Sequence, residues 1–198
     1  RHTAELTNGR YDPTLGPLTR LWRESHRTRR LPDAESLAAA RKATGWKHFS
    51  LDREARTVTL DLPGMRLDLG GIAKGYAADR MLVVMRKHGI PRSSVTAGGD
   101  IAIGDPPPGR DAWKVGLKTF DPQQPDEVVP LANAAVSTSG DLYQFIEIDG
   151  VRYSHILDPE TGLGLTDAIA VSVIAPTATL PDPLATAACV AGAAEAKE

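Results

Sequence analysis

A Gly pair followed by a helical Lys, in LDLGGIAKGYAADR at residues 67–80, is the stretch that most directly indicates chemistry. Glycines before a helix let backbone N–H groups approach an anion, and the helix N-terminus adds partial positive charge. Lys74 adds a full charge, so the combination suits a phosphate group. The stretch matches neither a Walker A loop nor the G-x-G-x-x-G pattern of dinucleotide folds. Taken alone, such residues more often form a tight turn and a solvent-facing Lys, whose loss barely affects folding.

Other polar residues gather at predicted strand ends in the same way. Asp68 lies between Leu67 and Leu69, where an unpaired carboxylate would be costly to bury. Gly-Gly-Asp at 98–100 and Ser-Gly-Asp at 139–141 are further junctions of this type, and His155 stands just before the end of another predicted strand. A lone His in a strand is more often a half-buried structural residue than a catalyst. On its own, each stretch is therefore better explained as a turn than as a functional site.

The elements that must position these residues mix helices and strands. The sequence predicts a short helix at 13–22 interrupted by Gly16 and Pro17, and further helices at 32–45, at Ile72–His88 and from Asp182 onward. It predicts strands at 47–52, 56–62, 65–69, 93–97, 100–104, 112–118, 143–149, 151–156 and 169–176. Asp149-Gly150 between alternating runs favours a type I′ hairpin. The pattern indicates an α+β fold with mixed, largely antiparallel sheets and several packed helices.

Composition excludes some functions. With 41% hydrophobic and 24% charged residues, the 198-residue chain is an ordinary globular one, and its net charge of −2 offers no basic field for nucleic acid or anionic lipid. The basic run at 23–30 reads as a solvated loop. Cys189 is the one cysteine, which excludes an intrachain disulfide and favours a small buried apolar residue.

Six stretches, taken together, resemble the ApbE family, the FAD:protein FMN transferases. They are NGRYDPTLGPLTRLW, LDLGGIAKGYAADR, AGGDIAIG, AVSTSGD, YSHILDPETG and IAPTATLPDPLATAACVAG, in the family's order and spacing. The resemblance implies an ApbE-like, T-fold-related domain over residues 1–198, trimmed at both ends. It also implies the periplasmic or cell-envelope side of the inner membrane, with attachment only through an N-terminal lipid anchor that this sequence does not show.

The activity implied by the resemblance is the transfer of FMN. The family binds FAD and, with Mg²⁺, cleaves its pyrophosphate, releases AMP and joins the FMN phosphate to a Thr or Ser hydroxyl of a partner protein, such as a flavinylated redox subunit. Some relatives instead hydrolyse FAD to FMN and AMP. Both reactions attack phosphorus, and in both the protein mainly positions the reactants and stabilises charge.

Roles for individual residues follow from the same resemblance. It implies that His155 is the base that takes the proton from the acceptor hydroxyl. It implies FAD contacts by Arg10, Tyr11, Asp12, Asp68, Lys74 and Leu157, and Mg²⁺ ligands in Asp182, Thr186 and the carbonyl of Gly71. Mg²⁺ takes oxygen ligands with only one or two carboxylates, and residues 182 and 186 stand four apart on one face of a helix start. The plainer alternative makes Asp182 an N-cap.

The sequence departs from the family pattern in two places. After DPETG this chain has LGL where a Pro is common, which affects the flavin-facing loop, and Pro181 and Pro183 flank Asp182. Since Pro is tolerated in a first helical turn, we expect Asp182 at the helix start with its carboxylate available. A flavin-binding store or sensor would need neither His155 nor the metal ligands, and a purely structural domain would bind no flavin.

Overall fold

The fold is α+β, as predicted, in a computed structural model that describes residues 1–117, 127–142 and 144–195. The helices are α1 (His2–Leu6), α2 (Gly16–Thr28), α3 (Ala34–Lys42), α4 (Ala73–Lys87) and α5 (Pro181–Glu195). The strands are β1 (Phe49–Asp52), β2 (Thr57–Leu60), β3 (Ser94–Ala97), β4 (Asp100–Ile103), β5 (Trp113–Leu117), β6 (Glu127–Leu131), β7 (Ala134–Gly140), β8 (Phe145–Ile148), β9 (Val151–Ser154) and β10 (Ala170–Ala175).

A four-stranded antiparallel sheet with the order β10-β7-β4-β3 forms the centre of the molecule. The described residues also form three two-stranded antiparallel hairpins, β1-β2, β5-β6 and β8-β9. In the register of β4 with β7, Asp100 lies opposite Ser137. This pairing brings the Gly-Gly-Asp and Ser-Gly-Asp stretches to neighbouring strands.

Two helices cover the central sheet with small residues at the contact. Helix α4 packs against β3 and β4, and α5 packs against β7 and β10. Ala78 of α4, Ala102 of β4 and Ala178 before α5 are all buried in one apolar cluster. Because these side chains are short, the helices approach the sheet and each other closely.

A second apolar cluster fixes α2 to the β8-β9 hairpin. Leu18 and Trp22 of α2 are buried against Ile146, Ile148 and Leu157. The indole N–H of Trp22 donates to the carbonyl of Ser154 at 3.0 Å. The hairpin end, and with it the residues that follow β9, is therefore held relative to α2.

Several local predictions are confirmed. The hairpins at 47–62 and 143–156 form within the described residues, and Asp149 and Gly150 both have positive φ angles, of 51° and 78°, as a type I′ turn requires. The predicted helices at 32–45 and Ile72–His88 correspond to α3 and α4. Cys189 is buried in α5. Tyr143 and Lys118, at the ends of two predicted strands, lie outside the described residues.

Three predictions are wrong. Residues 65–69 do not form a strand, because Arg66 makes only an isolated bridge with Leu15, and Asp68 N–H donates to Pro13 O at 2.8 Å. Gly16 and Pro17 begin α2 instead of interrupting a helix, as suits Pro in a first turn. Helix α2 continues through residue 28, so most of the basic run is helical and not a loop.

No helix in the described ranges is long and apolar enough to span a bilayer.

Candidate active site

One cleft of about 1100 Å³ brings together most of the predicted site residues. Its lining includes Tyr11, Asp12, Asp68, Gly71, Lys74, His155, Leu157 and Thr186. These residues come from the loop before α2, the start of α4, the end of the β8-β9 hairpin and α5. Arg10 and Asp182 are not in the lining, and Asp182 is almost completely buried beneath it.

Lys74 lies at the floor of this cleft between two buried carboxylates. Its Nζ is 3.0 Å from Asp182 Oδ1 and 3.1 Å from Asp100 Oδ2, and both Asp residues are 1% exposed. A longer hydrogen bond of 3.5 Å joins Nζ to the carbonyl of Gly70. The ammonium group therefore balances charge that would otherwise be unpaired inside the protein.

The pKa values of this cluster reflect burial and charge in opposition. Burial by itself lowers the pKa of Lys74, but Asp182 and Asp100 outweigh it and raise the pKa above its ordinary value. Burial raises the pKa of Asp182, against the opposing effect of the Gly75 N–H and of Lys74. Lys74 consequently carries its charge throughout the neutral range.

Asp182 connects two helices and does not act as a simple cap. Its Oδ2 accepts a hydrogen bond of 3.1 Å from the backbone N–H of Gly75 in α4. In return, Asp79 of α4 accepts hydrogen bonds from the backbone N–H groups of Ala178 and Thr179, at 2.7 and 2.8 Å. These reciprocal contacts fix the start of α5 against the start of α4. They are the reason that Lys74 and Asp182 meet.

The Gly pair forms a tight turn beside the cluster. Asp68 Oδ1 accepts from Gly70 N–H at 2.8 Å, and its Oδ2 lies 3.3 Å from Arg23 of α2. Asp68 is thus paired and partly exposed, so its carboxylate does not incur the free-energy cost of burying an unpaired charge. A Cβ atom at Gly71 would lie 3.2 Å from the Tyr11 ring and 3.6 Å from Thr186 Oγ1. The backbone at Gly71 therefore approaches the Thr186 hydroxyl closely.

The Thr186 hydroxyl belongs to a small group of oxygens. It lies 3.3 Å from the carbonyl of Asp182 and 3.2 Å from the hydroxyl of Ser139 at the end of β7. In the described part of the chain, no group of three or more His, Cys, Asp and Glu residues could hold a metal ion. Any cation here would need hydroxyl, carbonyl or substrate oxygens beside the single carboxylate of Asp182, as Mg²⁺ commonly does.

The loop before α2 is held by Asp12 and presents Tyr11. Asp12 accepts from Thr14 N–H at 2.7 Å and from Trp46 N–H at 2.9 Å, so both carboxylate oxygens have backbone partners. The Tyr11 hydroxyl is buried without a hydrogen-bond partner among the described residues, and burial raises the pKa of Tyr11. Both residues line the cleft, and the backbone contacts of Asp12 fix the loop that holds Tyr11 there.

His155 directly follows β9 and remains accessible from the cleft. Its backbone N–H donates to Gln144 O at 3.0 Å, and its Nδ1 lies 3.2 Å from the same carbonyl. A carbonyl only accepts, so Nδ1 carries the proton and Nε2 is left as the basic nitrogen. Partial desolvation of the ring lowers the pKa of His155, against the opposing effect of the Gln144 carbonyl, and this keeps the imidazole neutral near pH 7.

Asp100 and Ser137 are site residues to which sequence reasoning gave no role. The Ser137 hydroxyl donates to Asp100 Oδ1, and both side chains are buried. The available signal was the repetition of a Gly followed by Asp at strand junctions. What the sequence lacked was the strand pairing that places Asp100 under Lys74.

Comparisons with known proteins identify relatives over nearly the whole chain. The sequence model of the ApbE family matches residues 1–198. The FAD:protein FMN transferase of Treponema pallidum is 37% identical over 96% of this chain and 57% of its own length. That of Escherichia coli K12 is 33% identical over 97% of this chain and again 57% of its own length. The chain therefore spans somewhat more than half of these relatives.

Solved structures agree with the sequence comparisons. The ApbE protein of Thermotoga maritima superposes with a TM-score of 0.86 at 39% identity, covering 96% of this chain and 62% of that one. The flavin transferase ApbE of Vibrio cholerae gives 0.85 at 32% identity, covering 97% of this chain and 62% of that one.

Proposed function

Because this chain belongs to the ApbE family, we propose that it is a Mg²⁺-dependent transferase that moves FMN from FAD to a Thr or Ser hydroxyl of an acceptor protein. The observation that carries the proposal is the meeting of Lys74, Thr186 and His155 in one cleft large enough for a dinucleotide. Fixed cationic and basic groups around a reacting phosphate are what phosphoryl transfer requires.

The proposed reaction exchanges one phosphate bond for another. The acceptor oxygen attacks the phosphorus of the FMN half of FAD and forms a P–O bond, while the bond to the bridging oxygen breaks and AMP leaves. Nε2 of His155 takes the acceptor proton, because Nδ1 is directed at Gln144 O. Lys74, which lines the cleft at the start of α4, faces the negative pyrophosphate.

The residues present fit a Mg²⁺ ion. When all three groups are ionised, two carboxylates and one ammonium at the cleft floor leave a net charge of −1, beside the Thr186 hydroxyl and the Gly71 backbone. Asp182, Thr186 and the Gly71 carbonyl would hold the ion, and Tyr11, Asp68 and Leu157 would contact FAD. A bound Mg²⁺ supplies charge neutralisation for the pyrophosphate and the departing AMP.

Hydrolysis of FAD to FMN and AMP is a second candidate at the same site. The exposure of His155 to the cleft favours it, because water could then take the place of the acceptor hydroxyl. We propose that the acceptor is a redox protein with a target Thr or Ser and that nucleic acid is not a partner. The proposed location, the periplasmic or cell-envelope side of the membrane, rests on family resemblance alone.

The test incubates the chain with FAD, Mg²⁺ and a Thr-containing redox domain that a family member flavinylates. Chromatography measures AMP, and flavin fluorescence of the separated acceptor measures transfer. AMP with a labelled acceptor supports transfer, and AMP with free FMN supports hydrolysis. Binding of FAD without AMP release would leave only a flavin-binding protein. Lys114→Ala, on β5, serves as a control variant outside the proposed machinery.

A further inference from the structure

The ammonium group of Lys74 lies close to three protein oxygens. Its Nζ donates to Asp182 Oδ1 at 3.0 Å, forms an ion pair with Asp100 Oδ2 at 3.1 Å, and makes a long hydrogen bond of 3.5 Å to Gly70 O. An ammonium group has only three donors. A substrate phosphate that approaches Lys74 would therefore compete with these oxygens for the ammonium group, and the two carboxylates differ in how readily they can give way.

In the proposed function, the negative charge of Asp182 is needed to bind the divalent cation. A divalent cation at this carboxylate would lie close to the ammonium group bound to the same residue, and like charges at such a distance repel each other. Lys74 and the cation thus compete for Asp182. The competition depends on whether Lys74 has another buried anion to hold it.

Asp100 has the properties of that second anion. It is 1% exposed, and its Oδ1 is already occupied by the Ser137 hydroxyl. No well-aligned hydrogen bond reaches its Oδ2 within the described residues, where Lys74 is its ionic partner. The Gly98-Gly99 turn before Asp100 packs against the side chain of Lys74, since a Cβ atom at Gly98 would lie 3.4 Å from Lys74 Cδ.

We propose that Asp100 is a positioning residue for Lys74. When Asp182 binds a divalent cation, Asp100 keeps the ammonium group of Lys74 at the cleft floor. The inference rests on the proposed function in placing the cation at Asp182. In this arrangement Lys74 exchanges one carboxylate for a substrate phosphate and keeps the other. Without Asp100, Lys74 stays with Asp182 and opposes the cation.

The experiment measures Mn²⁺ binding by electron paramagnetic resonance in the absence of flavin. It compares the wild-type chain with Lys74→Gln, Asp100→Asn and the double variant. We expect Lys74→Gln to bind Mn²⁺ more tightly and Asp100→Asn more weakly, each by roughly tenfold, a usual size of coupling between charged neighbours. In the Lys74→Gln background, the effect of Asp100→Asn should largely vanish.

The double variant separates this inference from a simpler one. If Asp100 acted only through its own charge, Asp100→Asn would weaken Mn²⁺ binding by the same factor in both backgrounds, and that result would overturn the proposal. Mn²⁺ binding by Lys74→Gln that is no tighter than wild type would also overturn it, even if Asp100→Asn failed to fold. Asp141→Asn is the matched control, because Asp141 is equally buried but pairs with Arg152.

These outcomes are distinguishable from those of the proposed function. Neither FAD nor an acceptor is present, so absence of FMN transfer would leave the Mn²⁺ results unchanged. Active transfer combined with equal effects of Asp100→Asn in both backgrounds would remove this inference alone.

Discussion

Gly75 of α4 packs directly against the backbone carbonyl of Ala178, so closely that a Cβ atom at position 75 would lie 2.0 Å from that oxygen. The same atom would lie 3.1 Å from Asp182 Cβ. The absence of a side chain at Gly75 is therefore what lets α5 approach α4. The contact between Lys74 and Asp182 depends on that approach.

The first prediction is that Gly75→Ala weakens both folding and flavin binding. The added methyl group must separate the two helices, and overpacking of this kind costs about 1–3 kcal/mol of unfolding free energy. Urea denaturation and calorimetric titration with FAD measure the two effects. Arg80→Ala, at an exposed position on the same helix, is the control and should change neither. Wild-type stability of Gly75→Ala would contradict the packing argument.

The second prediction concerns Lys74, for which the structure corrects sequence reasoning. An exposed helical Lys would contribute little to folding, but Lys74 balances two buried carboxylates. We therefore expect Lys74→Ala to lower the melting temperature as well as FAD affinity, the latter by about 1.5–3 kcal/mol for a lost charge-assisted hydrogen bond. Unchanged FAD affinity by calorimetry would remove Lys74 from the flavin site.

The contrast at Lys74 shows how far the sequence could reach. Local signals were sufficient for α4, for the Asp149-Gly150 hairpin and for the start of α5, because capping, Gly and alternation act between near neighbours. The partnership of Lys74 with Asp100 depends on the pairing of β4 with β7 and on the packing of α4 over β4, which no local pattern specifies.

The error at residues 65–69 has a similar cause. Alternating apolar residues predict a strand, yet the backbone of Arg66 bonds to Gly16, the first residue of α2, and that of Asp68 bonds to Pro13 in the loop before it. A strand needs a longer partner than that loop supplies. The family resemblance, by contrast, depends on residue identity at many separate positions, so it selected cleft residues without knowledge of the pairing.

The third prediction is the pH dependence set by His155. Partial desolvation of the ring lowers the pKa of His155, so the neutral base persists below the ordinary value of 6.5. AMP release should therefore be level near pH 7 and fall only on acidification through that lower pKa. His155→Ala should slow transfer by roughly 10²- to 10⁴-fold while FAD remains bound. A rate that keeps rising well above pH 7 would contradict this role.

The same pKa shift gives a stability prediction with a definite sign. Since the folded-state pKa of His155 lies below the unfolded value, its contribution to stability is present above pH 6.5 and is lost as pH falls through the folded pKa. His155→Gln should therefore lose less stability than wild type on acidification over this window. Unfolding by urea at several pH values measures the difference.

The fourth prediction concerns the ion pair that anchors the β8-β9 hairpin. Arg152 donates to the buried carboxylate of Asp141 and to its backbone carbonyl, and its guanidinium stacks on Phe145 at 4.1 Å. Arg152→Gln leaves Asp141 buried without its cation, which costs about 3–5 kcal/mol of unfolding free energy. Arg27→Gln breaks the exposed pair with Glu24 and should have no measurable effect. Equal stability of the two variants would contradict the argument.

The last prediction tests the proposed metal site through Asp182→Asn. Were Asp182 only an N-cap, Asn would replace it with little loss. Its two carboxylate oxygens instead accept from Lys74 Nζ and from Gly75 N–H. In the Asp182→Asn variant one of these oxygens becomes an NH₂ group, which would place a donor opposite a donor. As the proposed Mg²⁺ ligand, Asp182 also supplies a charge that Asn lacks.

We therefore expect Asp182→Asn to lose AMP release at low Mg²⁺, with partial recovery at high Mg²⁺ and with FAD still bound. The measurement is AMP release against Mg²⁺ concentration, with circular dichroism to establish that the variant is folded. Thr186→Val, which removes a hydroxyl but leaves the contact between Lys74 and Asp182, should shift the same curve in the same direction by a smaller factor. Curves of Asp182→Asn and wild type that superimpose would remove the metal from this site.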